Sequence, residues 1–159
     1  MTQILSRRSL IALGGAALVA GCGGRRSRRA APAPSEPLGA GETPEMRALI
    51  RRYASIHGIP ESLLHRVIRR ESGYNPAARN GPYYGLMQIH PRTAQTMGYD
   101  GPPEGLLDAE TNLIYAGRYL RGAWLVSGGS EDAAVMWYSK GYYYEAKRLG
   151  LLEETGLKG

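Results

Sequence analysis

From Pro44 onward, apolar residues recur at intervals of three and four, the period of amphipathic helices. Met46, Leu49, Ile50, Tyr53 and Ile56 form one such stripe, opened by Pro44 and Glu45 and closed by Gly58. A second helix is predicted from Pro60, which suits a first helical position, with Leu63, Leu64, Val67 and Ile68 as its apolar face and Gly73 as its stop. A short helix follows over Pro91 to Met97, before Gly98. The longest is expected from about Asp108 to Val126, with Leu113, Ala116, Gly117, Leu120, Ala123 and Trp124 on its buried side. Ser130 reads as an N-cap, with Glu131 and Asp132 where negative charge suits the helix dipole, for a helix running towards Tyr138. A last helix covers Tyr143 to Leu149. Between Tyr74 and Gly85, Asn, Pro and Gly predict a long loop with room for a minor β-hairpin.

The first 43 residues follow another pattern. Arg7 and Arg8 precede an apolar run from Leu10 to Ala20 that is too short to span a bilayer as a helix. Residues 1–21 therefore read as an export signal, and Ser6-Arg7-Arg8-Ser9-Leu10-Ile11 resembles a twin-arginine motif. The run ends in Val19-Ala20-Gly21-Cys22, which resembles the lipobox of bacterial lipoproteins. Cys22 is the single cysteine, without an intramolecular disulfide partner. Lipidation at Cys22 is the expectation, against an ordinary secretory leader with an incidental cysteine. Several acyl chains on that residue would anchor the chain to a membrane. Gly23 after the cysteine favours, by analogy with enteric lipoproteins, a periplasmic site on the outer membrane. Residues 22–43 are rich in Arg, Ala, Pro and Gly with almost no large apolar residue, and read as a flexible tether.

Composition sharpens this division. The 159 residues allow one ordinary domain, assigned to residues 44–159, and 43% hydrophobic residues suffice for a core. Eleven tyrosines replace the absent phenylalanine. The net charge of +6 is concentrated in leader and tether, since 14 basic residues from Pro44 onward face 12 acidic ones. A nucleic-acid partner is thereby disfavoured, because such a binder carries its charge on the folded domain.

Candidate chemistry centres on Glu71. It follows Val67 by four residues and Ile68 by three, so it emerges from the apolar face of the second helix, in its last turn. Desolvation and the helix dipole both disfavour its charged form, the condition for a general acid. Pairing with Arg69 or Arg70 is the structural alternative. Being one and two residues away, those side chains are expected on other faces of the helix. His57, His65 and His90 lack metal-ligand spacing and read as surface or packing residues.

The wider sequence adds what position cannot. Val67-Ile68-Arg69-Arg70-Glu71-Ser72-Gly73-Tyr74-Asn75-Pro76, then Gly85-Leu86-Met87-Gln88-Ile89 with Pro91, Thr93 and Ala94, then Leu107-Asp108, Asn112, Gly117 and Tyr119-Leu120, resemble the catalytic domain of soluble lytic transglycosylases. The resemblance spans about Met46 to Gly150. It implies a mainly α, lysozyme-like fold of short helices around a glycan cleft, and peptidoglycan strands as substrate. It implies Glu71 as catalytic acid and base, with Ser72 supporting the site by hydrogen bonding. Met87 and Gln88 match residues lining the cleft. Tyr83 and Tyr84 stand just before that block, and Tyr84 is taken with it as a substrate contact. Tyr138 matches a tyrosine whose hydroxyl approaches the catalytic carboxyl, in a block that reads Ala-Tyr-Asn-x-Gly in the family. Here it is Trp137-Tyr138-Ser139-Lys140-Gly141, so alanine and asparagine are both replaced.

The resemblance implies cleavage without metal or other cofactor, to 1,6-anhydromuramyl ends. Two other functions fit the same residues. One is a hydrolytic muramidase on this fold, with Asp100, Glu104 or Asp108 as second carboxylate. The other is a non-catalytic glycan-binding factor serving a cell-envelope assembly. Tyr142-Tyr143-Tyr144 suit either sugar stacking or the core.

Overall fold

A computed structural model describes residues 37–157. The leader, Cys22 and the tether as far as residue 36 lie outside them. The described residues form a mainly helical lysozyme-like domain with one small antiparallel sheet. In chain order the elements are α1 (Pro44–His57), α2 (Glu61–Glu71), β1 (Arg79–Asn80), β2 (Tyr83–Tyr84), α3 (Pro91–Thr96), a 3-10 turn (Pro103–Leu107), α4 (Ala109–Val126), α5 (Glu131–Lys140) and α6 (Tyr143–Leu149).

Local chemistry sets the helix ends. Thr43 caps α1 by accepting from the Met46 amide at 3.1 Å, and Asp108 caps α4 by accepting from Thr111 at 2.8 Å. Ser130 caps α5 as expected, through the Ala133 amide. Pro60 is the N-cap of α2 rather than its first residue, its carbonyl receiving the Leu63 and Leu64 amides.

Helix α4 is the axis, packing against α1, α3, α5, α6 and the 3-10 turn. Its buried face comprises Asn112, Leu113, Ala116, Gly117, Leu120, Gly122, Ala123 and Val126, while Trp124 is half-buried. The core stripe of α1 is Ile50, Tyr53, Ala54 and His57. Ile56, expected in that stripe, is 59% exposed. The face that meets α4 runs i, i+3, i+4, i+7 from Ile50, so position 57 and not 56 points inward. His57 fits because α4 carries Gly117 opposite it. A methyl group at Gly117 would sit 2.5 Å from His57 Cδ2, and the ring instead donates from Nε2 to the Leu113 carbonyl at 2.9 Å.

The folded domain also reaches further back than its composition suggests. Residues 37–43, assigned to the tether, are strapped to α1 by Glu42, whose side chain is 1% exposed. The carboxylate takes Arg47 Nε and Nη2, each at 2.7 Å, and the Gly39 amide at 2.7 Å, while Arg47 also holds the Pro37 carbonyl. Low-complexity composition hides this because one buried ion pair, not an apolar stripe, fastens the segment.

Candidate active site

The hairpin predicted between Tyr74 and Gly85 is present, with Arg79 paired to Tyr84 and Asn80 to Tyr83. Tyr84 and Ile89 then pair backbone to backbone through two 3.1 Å bonds and enclose Gly85-Leu86-Met87-Gln88 as a tight loop. Two of those residues take left-handed backbone, Gly85 at φ 78° and Gln88 at φ 49°. The loop is fastened from beneath by Asn112. Its Oδ1 accepts from the Met87 amide at 2.9 Å, and its Nδ2 donates to the Tyr84 and Leu106 carbonyls at 2.9 and 2.8 Å.

Gln88 spends its amide nitrogen on the carbonyls of Ala78 and Gly85, at 3.0 and 2.8 Å. Because nitrogen donates twice to carbonyls, the orientation of the amide is settled. Its Oε1 is buried and accepts nothing among the described residues. Gln88 lines an open cavity of about 290 Å³ together with Tyr83, His90, Tyr119, Tyr138 and Ser139. Tyr83 packs edge-on against His90, whose Nδ1 accepts the Arg92 amide and so caps α3.

Tyr138 spans from α5 to the loop, donating to the Met87 carbonyl at 2.8 Å. Burial and the negative charge of Glu71 push its ionisation well above the ordinary tyrosine range, so it remains a neutral donor. The hydrogen of this hydroxyl goes to the loop, and the charge of Glu71 is felt at the same group.

Glu71 is the last residue of α2, its side chain 24% exposed. The expectation that Arg70 points elsewhere is overturned. Arg70 donates to Glu71 Oε1 from Nε at 3.0 Å and from Nη2, and Nη2 also donates to Ser139 Oγ at 2.6 Å. Side-chain length defeats the helical-wheel rule at a helix end, where no following turn separates neighbouring side chains. Ser72 hydrogen-bonds the Ile68 carbonyl at 3.3 Å and so closes α2, rather than the Glu71 carboxyl.

Two expected substrate contacts are buried. Met87 has 0% exposure, so its side chain belongs to the core and its backbone to the loop. Tyr84 is 9% exposed, its hydroxyl accepting from Arg79, while Tyr83 is 44% exposed and faces the cavity. Consecutive strand residues point to opposite faces, so only one of the pair can line the cleft. Of the tyrosine run, Tyr142 is buried and donates to the Tyr119 carbonyl, while Tyr143 and Tyr144 are exposed. None of Asp100, Glu104 and Asp108 lines the cavity, and Asp108 is spent as a helix cap.

Residues 48–150, well over half the chain, match the family described as the transglycosylase SLT domain. The chain belongs to this family. An 81-residue stretch is 38% identical to the soluble lytic murein transglycosylase of Escherichia coli strain K12, and equally to that of Escherichia coli O157:H7. The match covers 46% of this chain and 12% of each of those relatives. No solved structure matches the chain.

In this SLT domain, positions 137 and 139 depart from the family block, and the serine at 139 has a definite use. Its Oγ accepts from Arg70 and donates to the Val135 carbonyl at 3.0 Å. Arg70 takes up the pairing with Glu71 that the sequence left as the alternative, and Asn112 is the contributor to which the sequence gave no role. Nothing local in the sequence singled out Asn112 as the residue that holds the loop.

Proposed function

We propose that this SLT domain cleaves the β-1,4 bond between N-acetylmuramic acid and N-acetylglucosamine in peptidoglycan, with Glu71 as acid and base. The observation that carries the reading is the hydrogen-bonded link from Glu71 through Arg70 to Ser139, a residue of the cavity wall. Glu71 stands beside that cavity and reaches its wall through Arg70, while Asp100, Glu104 and Asp108 do not line it, so the reading takes a one-carboxylate route over the two-carboxylate chemistry of ordinary glycosidases.

Glu71 gives its proton to the bridging oxygen, and the C1–O bond breaks with its electron pair on the departing glucosamine. The acetamido oxygen of the muramic residue closes on C1 and shares the positive charge. Glu71, now a carboxylate, takes the proton of the C6 hydroxyl, whose oxygen displaces the acetamido oxygen from C1. A 1,6-anhydromuramyl end is formed, Glu71 is again protonated, and no water is consumed. Gln88 Oε1 suits an amide N–H of the sugar, because a buried acceptor left unpaired costs about 1–3 kcal/mol that such a donor recovers. Tyr83 and Tyr119 supply aromatic faces for the rings.

The chain is further proposed to act in the periplasm, exported and held on the outer membrane through lipidated Cys22. The support is the order of charge, apolar run, small residues and cysteine in the leader.

Mass spectrometry of glycan digested by wild type and Glu71→Gln tests the chemistry. Wild type should give ends lighter by one water than reducing ends. Glu71→Gln should lose about a hundred-fold or more in rate, the contribution of a general acid. Reducing ends alone would indicate a hydrolytic muramidase, and undiminished lysis by Glu71→Gln would sink the catalytic reading.

A further inference from the structure

The catalytic carboxyl is held asymmetrically. Both Arg70 bonds go to Oε1, while among the described residues Oε2 receives no hydrogen bond. The guanidinium is itself oriented. Its Nη2 meets Ser139 Oγ at 2.6 Å, and that hydroxyl has committed its one hydrogen to the Val135 carbonyl. A lone pair of Ser139 is thus turned towards Arg70. The chain of bonds ties the end of α2 to the last turns of α5.

A surface ion pair in water contributes little, and Arg70 is 43% exposed. Its consequence here lies in chemistry rather than stability. A protonated carboxyl has two unlike oxygens: one accepts only, and the other carries the proton. Arginine has donors and no acceptor. A guanidinium placed on Oε1 therefore favours the tautomer with Oε1 as the carbonyl oxygen and the proton on Oε2. The same bonds persist after the proton has left, so the carboxylate does not rotate between giving the proton and taking the next one.

We propose that Arg70, anchored by Ser139, is a positioning residue that reserves Oε2 of Glu71 for the proton. Ser139 thereby acts on the carboxyl through Arg70, not as a glycan contact. The inference rests on the reading of Glu71 as acid and base. It adds that the serine at position 139 and the arginine at position 70 work as one unit.

Steady-state cleavage of purified murein by Arg70→Met, Arg70→Lys, Ser139→Ala and the Arg70→Met/Ser139→Ala double variant tests this, with thermal melts run alongside. Misplacement of a reacting group costs about ten- to a hundred-fold, so Arg70→Met should lower kcat by that factor with KM held. Arg70→Lys should stay low, because an ammonium cannot reach both partners as the planar fork does. Ser139→Ala keeps the charge and loses the anchor, so it should lower kcat by a smaller factor. The double variant should be no worse than Arg70→Met alone.

Full kcat in Arg70→Met or Arg70→Lys would overturn the proposal, as would independent, multiplying losses in the double variant. A Ser139→Ala effect confined to KM would make Ser139 a glycan contact and also overturn it. Each of these leaves Glu71→Gln inactive. Activity retained in Glu71→Gln defeats the underlying reading instead, so the two failures are distinguishable. Ser139→Ala lies on an exposed position and keeps the test usable if Arg70→Met melts early.

Discussion

The carboxamide of Asn112 lies directly against Gly85, where a methyl group would sit 2.8 Å from Asn112 Cγ and nearer still to its nitrogen and to the Leu106 carbonyl. Gly85 is also in left-handed backbone, so an alanine there meets strain and collision together. Gly85→Ala is expected to cost about 3 kcal/mol or more. Asn112→Leu, which strands the Met87 amide, should cost a similar amount. Denaturant melts measure both, and in each case cleavage should fall with the loop that carries Gln88.

His57 sets a pH dependence of stability. Burial chiefly, and the charges of Arg118 and Arg121, hold its pKa below the ordinary 6.5, so the folded state keeps it neutral. The unfolded chain binds the proton first as pH falls. Stability is therefore flat above about pH 6.5 on this account and declines below it, until the folded form also protonates. A melting-temperature series from pH 8 to pH 5, on wild type and His57→Gln, should show the slope in wild type and its loss in the variant.

Glu42 acts in a lower window. The Arg47 hydrogen bonds, opposed by burial, bring its pKa from 4.5 to about 2. Its contribution is complete above about pH 4.5 and is lost as pH falls towards 2, since the unfolded chain again binds the proton first. Glu42→Gln should cost about 3 kcal/mol at neutral pH by leaving Arg47 short of its main partner. Limited proteolysis should then cut at residues 37–43 faster than in wild type.

The two adjacent tyrosines should separate cleanly in kinetics. Tyr83→Ala removes an exposed ring from the cavity and should raise KM several-fold, roughly 1 kcal/mol of binding, with kcat nearly held. Tyr84→Phe removes only the hydroxyl that accepts from Arg79, and should cost about 1 kcal/mol of stability without moving KM. A KM change in Tyr84→Phe alone would reverse the assignment of faces.

Much of the fold can be read along the chain, because helix ends and apolar faces are local properties. Leu63, Leu64, Val67 and Ile68 are all buried on α2, Ser130 caps α5, and the hairpin falls between Tyr74 and Gly85. The errors are in which way side chains face and where the domain begins. Ile56 and His57 exchange places, Tyr84 and Met87 turn inward, and residues 37–43 join the domain. The first two depend on what lies opposite in space, which no window of neighbouring residues contains, while residues 37–43 are held by a near-neighbour ion pair that hydrophobic patterning does not register.

The site divides along the same line. The sequence by itself determined that a carboxylate lies in the last turn of the second helix, that a loop with room for a hairpin follows it, and that these blocks resemble the SLT family to which the chain belongs. Spacing and backbone preference are enough for that. Only the tertiary structure decided that Arg70 turns back onto Glu71, that Ser139 receives it, and that Asn112 holds the loop from below. Those are contacts between residues 25 to 69 positions apart, or between long side chains at a helix end. Their geometry exists only once α2, α4 and α5 have packed together.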